Sequence, residues 1–301
     1  MSRETERIMK ELQKRMENME FADEAEANRE MLKIVEEYNA GLGSPNKVYG
    51  LSADDFLDKA YEAETTEECL KYAKKALKLD SNCIDAKLLI IQNEVDEAED
   101  ARKELEDVLK RETKRLEKEG YFDKESIGHF YGMLETRPYM RVRHTYIDLL
   151  VEMGKYRKAI SECEDLIQLN ENDNMGVRYR LMTLYAALEE LDGAKTLYAK
   201  FKEDSCSMLY PLAILYYRLD DYNKAKSMLK KIVSRNKDFQ DFITDKMTLS
   251  DDEINEILHA GTYQPYTIEE TLLVFRDNSI MLDAMSSFNS WARRELLKKQ
   301  I

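Results

Sequence analysis

The feature that most constrains this chain is a pattern repeated through its middle. Gly154-Lys155-Tyr156-Arg157-Lys158-Ala159-Ile160, Glu190-Leu191-Asp192-Gly193-Ala194-Lys195-Thr196 and Asp220-Asp221-Tyr222-Asn223-Lys224-Ala225-Lys226 align on their alanines. Ala159 to Ala194 is 35 positions and Ala194 to Ala225 is 31, which brackets the period of about 34 residues found in stacked helix pairs. A small residue early in the second helix of a pair lets it approach the first closely. Apolar residues then recur in steps of three and four, at Ala159, Cys163, Leu166 and Ile167 and again at Ala225, Leu229, Ile232 and Val233. That is the stripe of a helix with one buried face. The preceding helices carry Tyr146, Leu149 and Leu150, then Leu181, Leu184 and Tyr185, then Leu209, Leu212 and Tyr216. A single pair cannot bury its own stripe, so the pairs must stack.

Composition agrees with helices. Ten Gly and 4 Pro leave too little turn chemistry for a sheet-rich chain, while 43% hydrophobic residues suffice for a continuous core. The formal charge of −14 opposes a nucleic-acid partner, since such affinity comes mainly from Lys and Arg, and opposes an anionic membrane surface equally. Apolar runs such as Leu88 to Ile91 are far too short to span a bilayer. The start, Met1-Ser2-Arg3-Glu4, lacks the apolar centre of a secretion signal, so the cytoplasm is the expected location. Cys69, Cys83, Cys163 and Cys206 show no CxxC spacing and no nearby histidine. They read as core side chains in a reducing compartment, and neither a metal nor a cofactor is implied.

Thr65-Thr66-Glu67-Glu68 has the form of a capping box, in which the threonine oxygen and the glutamate satisfy opposing backbone donors. It opens a stripe of Cys69, Leu70, Ala73, Ala76, Leu77 and Leu79 that ends at Asp80-Ser81-Asn82. A further pair follows at about 84–94 and 96–119. Two amphipathic helices, about 3–18 and 23–39, come before, and Gly41-Leu42-Gly43-Ser44-Pro45-Asn46 has the composition of a linker. Ser250-Asp251-Asp252-Glu253 and Thr267-Ile268-Glu269-Glu270 are two more capping-box starts. A last helix, about 279–298, gathers Met281, Ala284, Met285, Phe288 and Ala292 on one face, widened by Trp291. Such a helix covers the open apolar end of a stack, the alternative being a dimer face. The expected organisation is a helical hairpin and linker over 1–45, degenerate helix pairs over 51–119, an irregular connecting helix over 120–138, a core array over 139–236 and capping helices over 237–301.

Two motifs carry a resemblance: Glu135-Thr136-Arg137-Pro138-Tyr139-Met140-Arg141-Val142-Arg143 and Leu169-Asn170-Glu171-Asn172-Asp173-Asn174-Met175-Gly176-Val177-Arg178-Tyr179. With the repeat, they make the chain resemble the tetratricopeptide superfamily, and within it a bacterial group similar to the suppressor-of-tumorigenicity-seven family. The resemblance implies an all-α, tetratricopeptide-type right-handed helical solenoid with extra helices at both ends. It implies binding and carries over no chemistry. One departure matters. Tetratricopeptide domains that hold chaperone tails place Lys and Asn on the groove, whereas the corresponding residues counted from Met140 are His144 and Asp148. An acid there repels the tail's carboxylate.

In that superfamily the first helix of each repeat lines the concave groove. Arg141, His144, Arg178, Tyr179, Met182 and Tyr185 are then expected to face it, continued by Tyr210, Ile214, Tyr217 and Arg218. Tyr and Arg are frequent binding hot spots, and Arg pairs bidentately with carboxylates. The expected function is a non-enzymatic scaffold that binds a protein or peptide, an acidic and aromatic segment, as a monomer or weak homodimer. Arg137, Arg141, Arg143, Arg178 and Arg180 cluster on or next to two successive first helices in an otherwise acidic chain. In the competing reading these arginines pair with Asp148, Asp173 and Glu135 and only hold neighbouring repeats in register. A different function class is a regulatory receptor whose curvature changes when a peptide or metabolite binds. For catalysis there are only His129, His144 and His259. Arg141, His144 and Asp148 share a helix face that could orient an imidazole, but Gly41-Leu42-Gly43 lacks the lysine and spacing of a phosphate loop. The chain is not expected to be an enzyme.

Overall fold

A computed structural model describes residues 3–17, 19, 21–39, 52–260 and 263–298; the predicted linker at Gly41–Asn46 lies outside them. Among the described residues there are sixteen α-helices, two 3-10 turns and no strand. They divide into two compact units, Met1–Met153 and Gly154–Ile301, with the division falling inside the array predicted over 139–236.

The first unit contains α1 (Arg3–Glu17), α2 (Glu24–Asn39), α3 (Ala53–Tyr61), α4 (Thr66–Leu79), α5 (Ile84–Glu94), α6 (Ala98–Lys118) and α7 (Arg137–Glu152). Caps explain where several begin. The Ser52 hydroxyl accepts the Asp55 N–H at 3.1 Å while the Asp55 carboxylate accepts the Ser52 N–H at 3.3 Å, a complete capping box. At α4, Thr65 accepts the Glu68 N–H at 3.2 Å. Small residues then let α3, α4 and α5 approach closely around Leu57, Ala60, Ala73, Ala76, Ala86 and Leu89. Over 120–136, most of the stretch where a connecting helix is expected, the chain instead forms turns and one 3-10 turn at Phe130–Gly132. Gly120 and Gly128 take φ of 83° and 95° there, which interrupts a right-handed helix. The loop is pinned from inside. Phe130 is buried and meets Phe122 edge-on at 5.2 Å, and the Thr136 hydroxyl donates to the Met133 carbonyl at 3.0 Å.

The second unit contains α8 (Tyr156–Leu169), α9 (Val177–Ala187), α10 (Leu191–Phe201), α11 (Cys206–Arg218), α12 (Tyr222–Arg235), α13 (Lys237–Ile243), α14 (Asp251–Ala260), α15 (Ile268–Asp277) and α16 (Leu282–Leu297). Consecutive helices pack on one another from α8 to α12, and the aligned alanines Ala159, Ala194 and Ala225 are all fully buried. A Cβ on Gly193 would lie 2.7 Å from the Tyr185 ring, so only glycine permits that approach of α10 to α9. α11 is apolar all round, with ten of its 13 residues buried, as befits a helix enclosed by others. It is enclosed by α9, α10, α12, α15 and α16. Of the two late capping boxes, Ser250–Glu253 forms, the Ser250 N–H donating to the Glu253 carboxylate at 2.8 Å. The one at Thr267 does not, because Glu270 turns inward. Its carboxylate accepts the Tyr266 N–H at 2.7 Å, the Cys206 N–H at 3.1 Å and the Asn236 amide at 3.2 Å, tying α15 to α11 and α13.

Candidate functional site

Two of the predicted groove residues belong to the first unit. Arg141 on α7 reaches Asp85 on α5 (Nε–Oδ1 2.8 Å, Nη2–Oδ2 2.5 Å) and Glu6 on α1 (Nη1–Oε2 2.8 Å, Nη2–Oε1 3.2 Å). The carboxylates are nearly inaccessible, Asp85 at 2% and Glu6 at 3%. Burial works against the charge on Arg141, but the hydrogen bonds and charge of Asp85, then of Glu6, outweigh it and raise its pKa. Two bidentate pairs on one guanidinium form a clip joining three helices. His144, one turn on, has Nδ1 3.3 Å from Asp148 with both side chains over a third exposed. His144 thus makes the i, i+4 contact with Asp148 that its spacing predicts, while Arg141 turns away to Asp85 and Glu6.

The others lie in the second unit. Arg178 at the start of α9 pairs with Asp173 at 2.9 Å and Glu203 at 2.8 Å and lies over the Tyr179 ring at 4.2 Å. Asp173 also caps α9, accepting the Val177 and Arg178 N–H groups at 2.8 and 2.9 Å. The Tyr179 hydroxyl donates to Glu203 at 2.8 Å; burial, then that bond, push its pKa up. Arg218 closes the other end of α9, donating to the Ala186 and Ala187 carbonyls at 2.6 and 3.0 Å and pairing with Glu189 at 2.8 Å. A cation on terminal carbonyls stabilises a helix end. Arg178 thus pairs with Asp173, as the register reading expects, while Arg141 pairs with Asp85 and Glu6 and not with Asp148.

Met182, Tyr185, Tyr210 and Ile214, expected to face an open groove, are buried: Met182, Tyr210 and Ile214 at 0% exposure and Tyr185 at 7%. Tyr185 donates its hydroxyl to Glu164 at 2.6 Å. The C-terminal helices cover the face that carries the rest. Phe275 of α15 stacks on Tyr210 at 5.0 Å, Phe288 of α16 meets it edge-on at 5.7 Å, and the Tyr210 hydroxyl donates to Asn289 at 3.0 Å. Nearer α9, Thr183 donates to Asn278 at 2.9 Å. This corrects the groove: within the second unit, its predicted floor is the interior.

At the edge of that interior the aromatic residues come to the surface. Tyr217 of α11, Tyr222 of α12 and Trp291 of α16 converge, with centroids 5.7 Å apart for Tyr217–Tyr222, 5.5 Å for Tyr217–Trp291 and 6.1 Å for Tyr222–Trp291. Phe288 supports them from beneath, 5.7 Å from Tyr217 and 5.6 Å from Trp291. Tyr222 is 47% exposed and neighbouring Leu219 36%. Sequence reasoning singled out Tyr217 but placed Trp291 only on a capping face and left Tyr222 inside the repeat motif. Tyr222 follows the helix-opening Asp221 in the repeat, which is the signal that could have exposed it.

The first unit also has a cleft of about 620 Å³, lined among others by Lys10, Gln13, Asp54, Asp80, Arg115 and Glu135. Lys10 pairs there with Asp54 at 3.3 Å, Arg115 with Glu119 at 2.6 Å, and Gln13 donates to Glu135 at 3.1 Å. Among the described residues no group of His, Cys, Asp and Glu is placed to hold a metal ion, and no helix is long and apolar enough to cross a membrane. Compared with protein-family models, with characterised proteins and with solved structures, the chain gives no match. Among the described residues, fold and surface together define an all-helical protein whose packed second unit presents an aromatic patch.

Proposed function

We propose that the protein is a non-enzymatic binding module of the cytoplasm, a tetratricopeptide-type right-handed helical stack that serves as a scaffold for a protein or peptide partner. The observation that carries this reading is the Tyr217–Tyr222–Trp291 patch. Tyrosine and tryptophan supply large, stiff contact areas and dominate binding hot spots. Here the Tyr217 and Trp291 rings are held in place by buried Phe288, so little of their side-chain entropy is lost when a partner docks. The buried repeat alanines Ala159, Ala194 and Ala225 support the stacked-pair architecture. The arginines expected to bind ligand serve the stack itself in this account, and recognition shifts to the aromatic edge.

The test is quantitative affinity capture with wild type, Tyr222→Glu, and Leu79→Glu as a control for added charge at a comparably exposed site (55%). The module reading expects one or more partners to be lost from Tyr222→Glu and retained by Leu79→Glu, with all three proteins melting alike. Identical partners from all three would remove the aromatic patch from the account.

A further inference from the structure

Several rings of the second unit carry a cation of the chain itself. Lys231 Nζ lies 5.3 Å from the Tyr198 centroid, the Arg235 guanidinium 5.9 Å from Tyr266, and Lys224 Nζ 5.3 Å from Tyr216. The Tyr217–Tyr222–Trp291 trio differs: among the described residues, no lysine or arginine lies over any of its rings. Two nearby cations are held against other groups, Arg218 against Glu189 at 2.8 Å and Lys224 against Asp221 at 2.7 Å. Arg294, one turn after Trp291, is exposed and lies over none of the three rings. One carboxylate does adjoin the trio. Asp220 accepts the Tyr222 hydroxyl at 2.8 Å, and among the described residues no cation pairs with it.

The negative face of an aromatic ring attracts a cation out to about 6 Å from its centroid. The three centroids are 5.5, 5.7 and 6.1 Å apart, so one cation resting on the trio comes within that reach of all three. Fully buried Phe288 lies beneath Tyr217 and Trp291, which leaves the outer side for a ligand. The ring planes are inclined to one another by 72°, 40° and 40°. A flat guanidinium stacks on only one such ring. A compact ammonium meets several and keeps three donors for a carboxylate. We infer that the trio and Asp220 together receive the side-chain ammonium of a lysine on the partner. Its stem lies along the rings and its head donates to the Asp220 carboxylate. The inference rests on the aromatic edge being the docking surface proposed above. It reverses the acidic partner expected from the arginines, for Arg141, Arg178 and Arg218 are already paired with carboxylates of the chain. The formal charge of −14 also favours the approach of a basic segment over an acidic one.

The experiment titrates the full chain with blocked peptides that carry lysine, norleucine or arginine between identical glycine–serine flanks. The readout is the emission of Trp291, the only tryptophan and itself one of the three rings. The lysine peptide is expected to bind at millimolar concentrations and about tenfold more tightly than the norleucine peptide, which has the stem without the charge. That ratio corresponds to a cation–π contact and one exposed charge pair together. Asp220→Asn is expected to weaken the lysine peptide about threefold, leave the norleucine peptide unchanged and melt like wild type. Asparagine tolerates the φ of 57° at this position as aspartate does. Equal binding of the lysine and norleucine peptides overturns the inference and leaves an apolar docking edge standing. No response of Trp291 to the lysine peptide also overturns it, while retention or loss of partners by Tyr222→Glu decides the docking reading separately. Tighter binding of the arginine peptide than of the lysine peptide overturns the choice of an ammonium.

Discussion

Tyr210 separates an open groove from a filled one more sharply than any other position. On an open face its truncation would fall within about ±0.5 kcal/mol, the range of surface substitutions. In the structure it is fully buried, its ring touches Phe239, Phe275 and Phe288, and its hydroxyl donates to Asn289 at 3.0 Å. Deleting a buried aromatic side chain costs about 3–5 kcal/mol, and unpairing Asn289 adds about 1 kcal/mol. Tyr210→Ala should therefore lose about 4–6 kcal/mol, a large share of the roughly 5–15 kcal/mol that holds a domain folded. Tyr210→Phe keeps the ring and should lose about 1 kcal/mol. The assay is urea unfolding followed by the fluorescence of Trp291, the only tryptophan, which sits in α16 and reports on the second unit. An Ala variant that loses less than about 1 kcal/mol would refute the filled interior.

Arg141→Ala strands the buried carboxylates of Asp85 and Glu6. Removing one member of a buried pair costs about 3–5 kcal/mol, reduced to about 2–3 kcal/mol here by the partial exposure of Arg141; adding Asp85→Ala should recover part of that in chemical denaturation. Gly193→Ala gains helix propensity of up to about 1 kcal/mol but drives a Cβ to 2.7 Å from a Tyr185 ring anchored on Glu164. Overpacking of about 1–3 kcal/mol wins, so thermal unfolding should show a loss, and a gain would contradict the packing. The Cys83 thiol is pushed up to about 11, chiefly by burial. The thiolate is the reactive form, so at pH 8 its alkylation should run about a hundredfold slower than that of an ordinary cysteine and recover as pH rises towards 11. Mass-resolved iodoacetamide kinetics on the folded chain would show this, and rapid labelling at pH 8 would not fit.

Local pattern made the helices of this protein legible. The stripes around Ala159, Ala194 and Ala225, the start of α4 at Thr65 and the faces of α16 depend on spacings of a few residues, which a sequence displays directly. Where side chains go depends on partners far along the chain, and those were misplaced. Tyr210 looks like a groove residue until Phe275, Phe288 and Asn289, 65 to 79 positions on, close over it. Arg141 has Asp148 on its own helix, yet it takes Asp85 and Glu6, 56 and 135 positions away, because each offers a bidentate pair. Glu270 has the sequence of a capping box and abandons it for the backbone of Cys206. In each case a long-range hydrogen bond or ring contact outweighs the local choice, and sequence spacing carries no sign of it.

The central claim is that a partner docks on the Tyr217–Tyr222–Trp291 edge, and Trp291 is placed to report it directly. Acrylamide quenching of its fluorescence should be appreciable in the free protein, since its ring is partly exposed. On addition of the segment of a captured partner that binds, the account predicts lower quenching and emission shifted to shorter wavelength. Full binding by anisotropy with quenching and emission unchanged would contradict it.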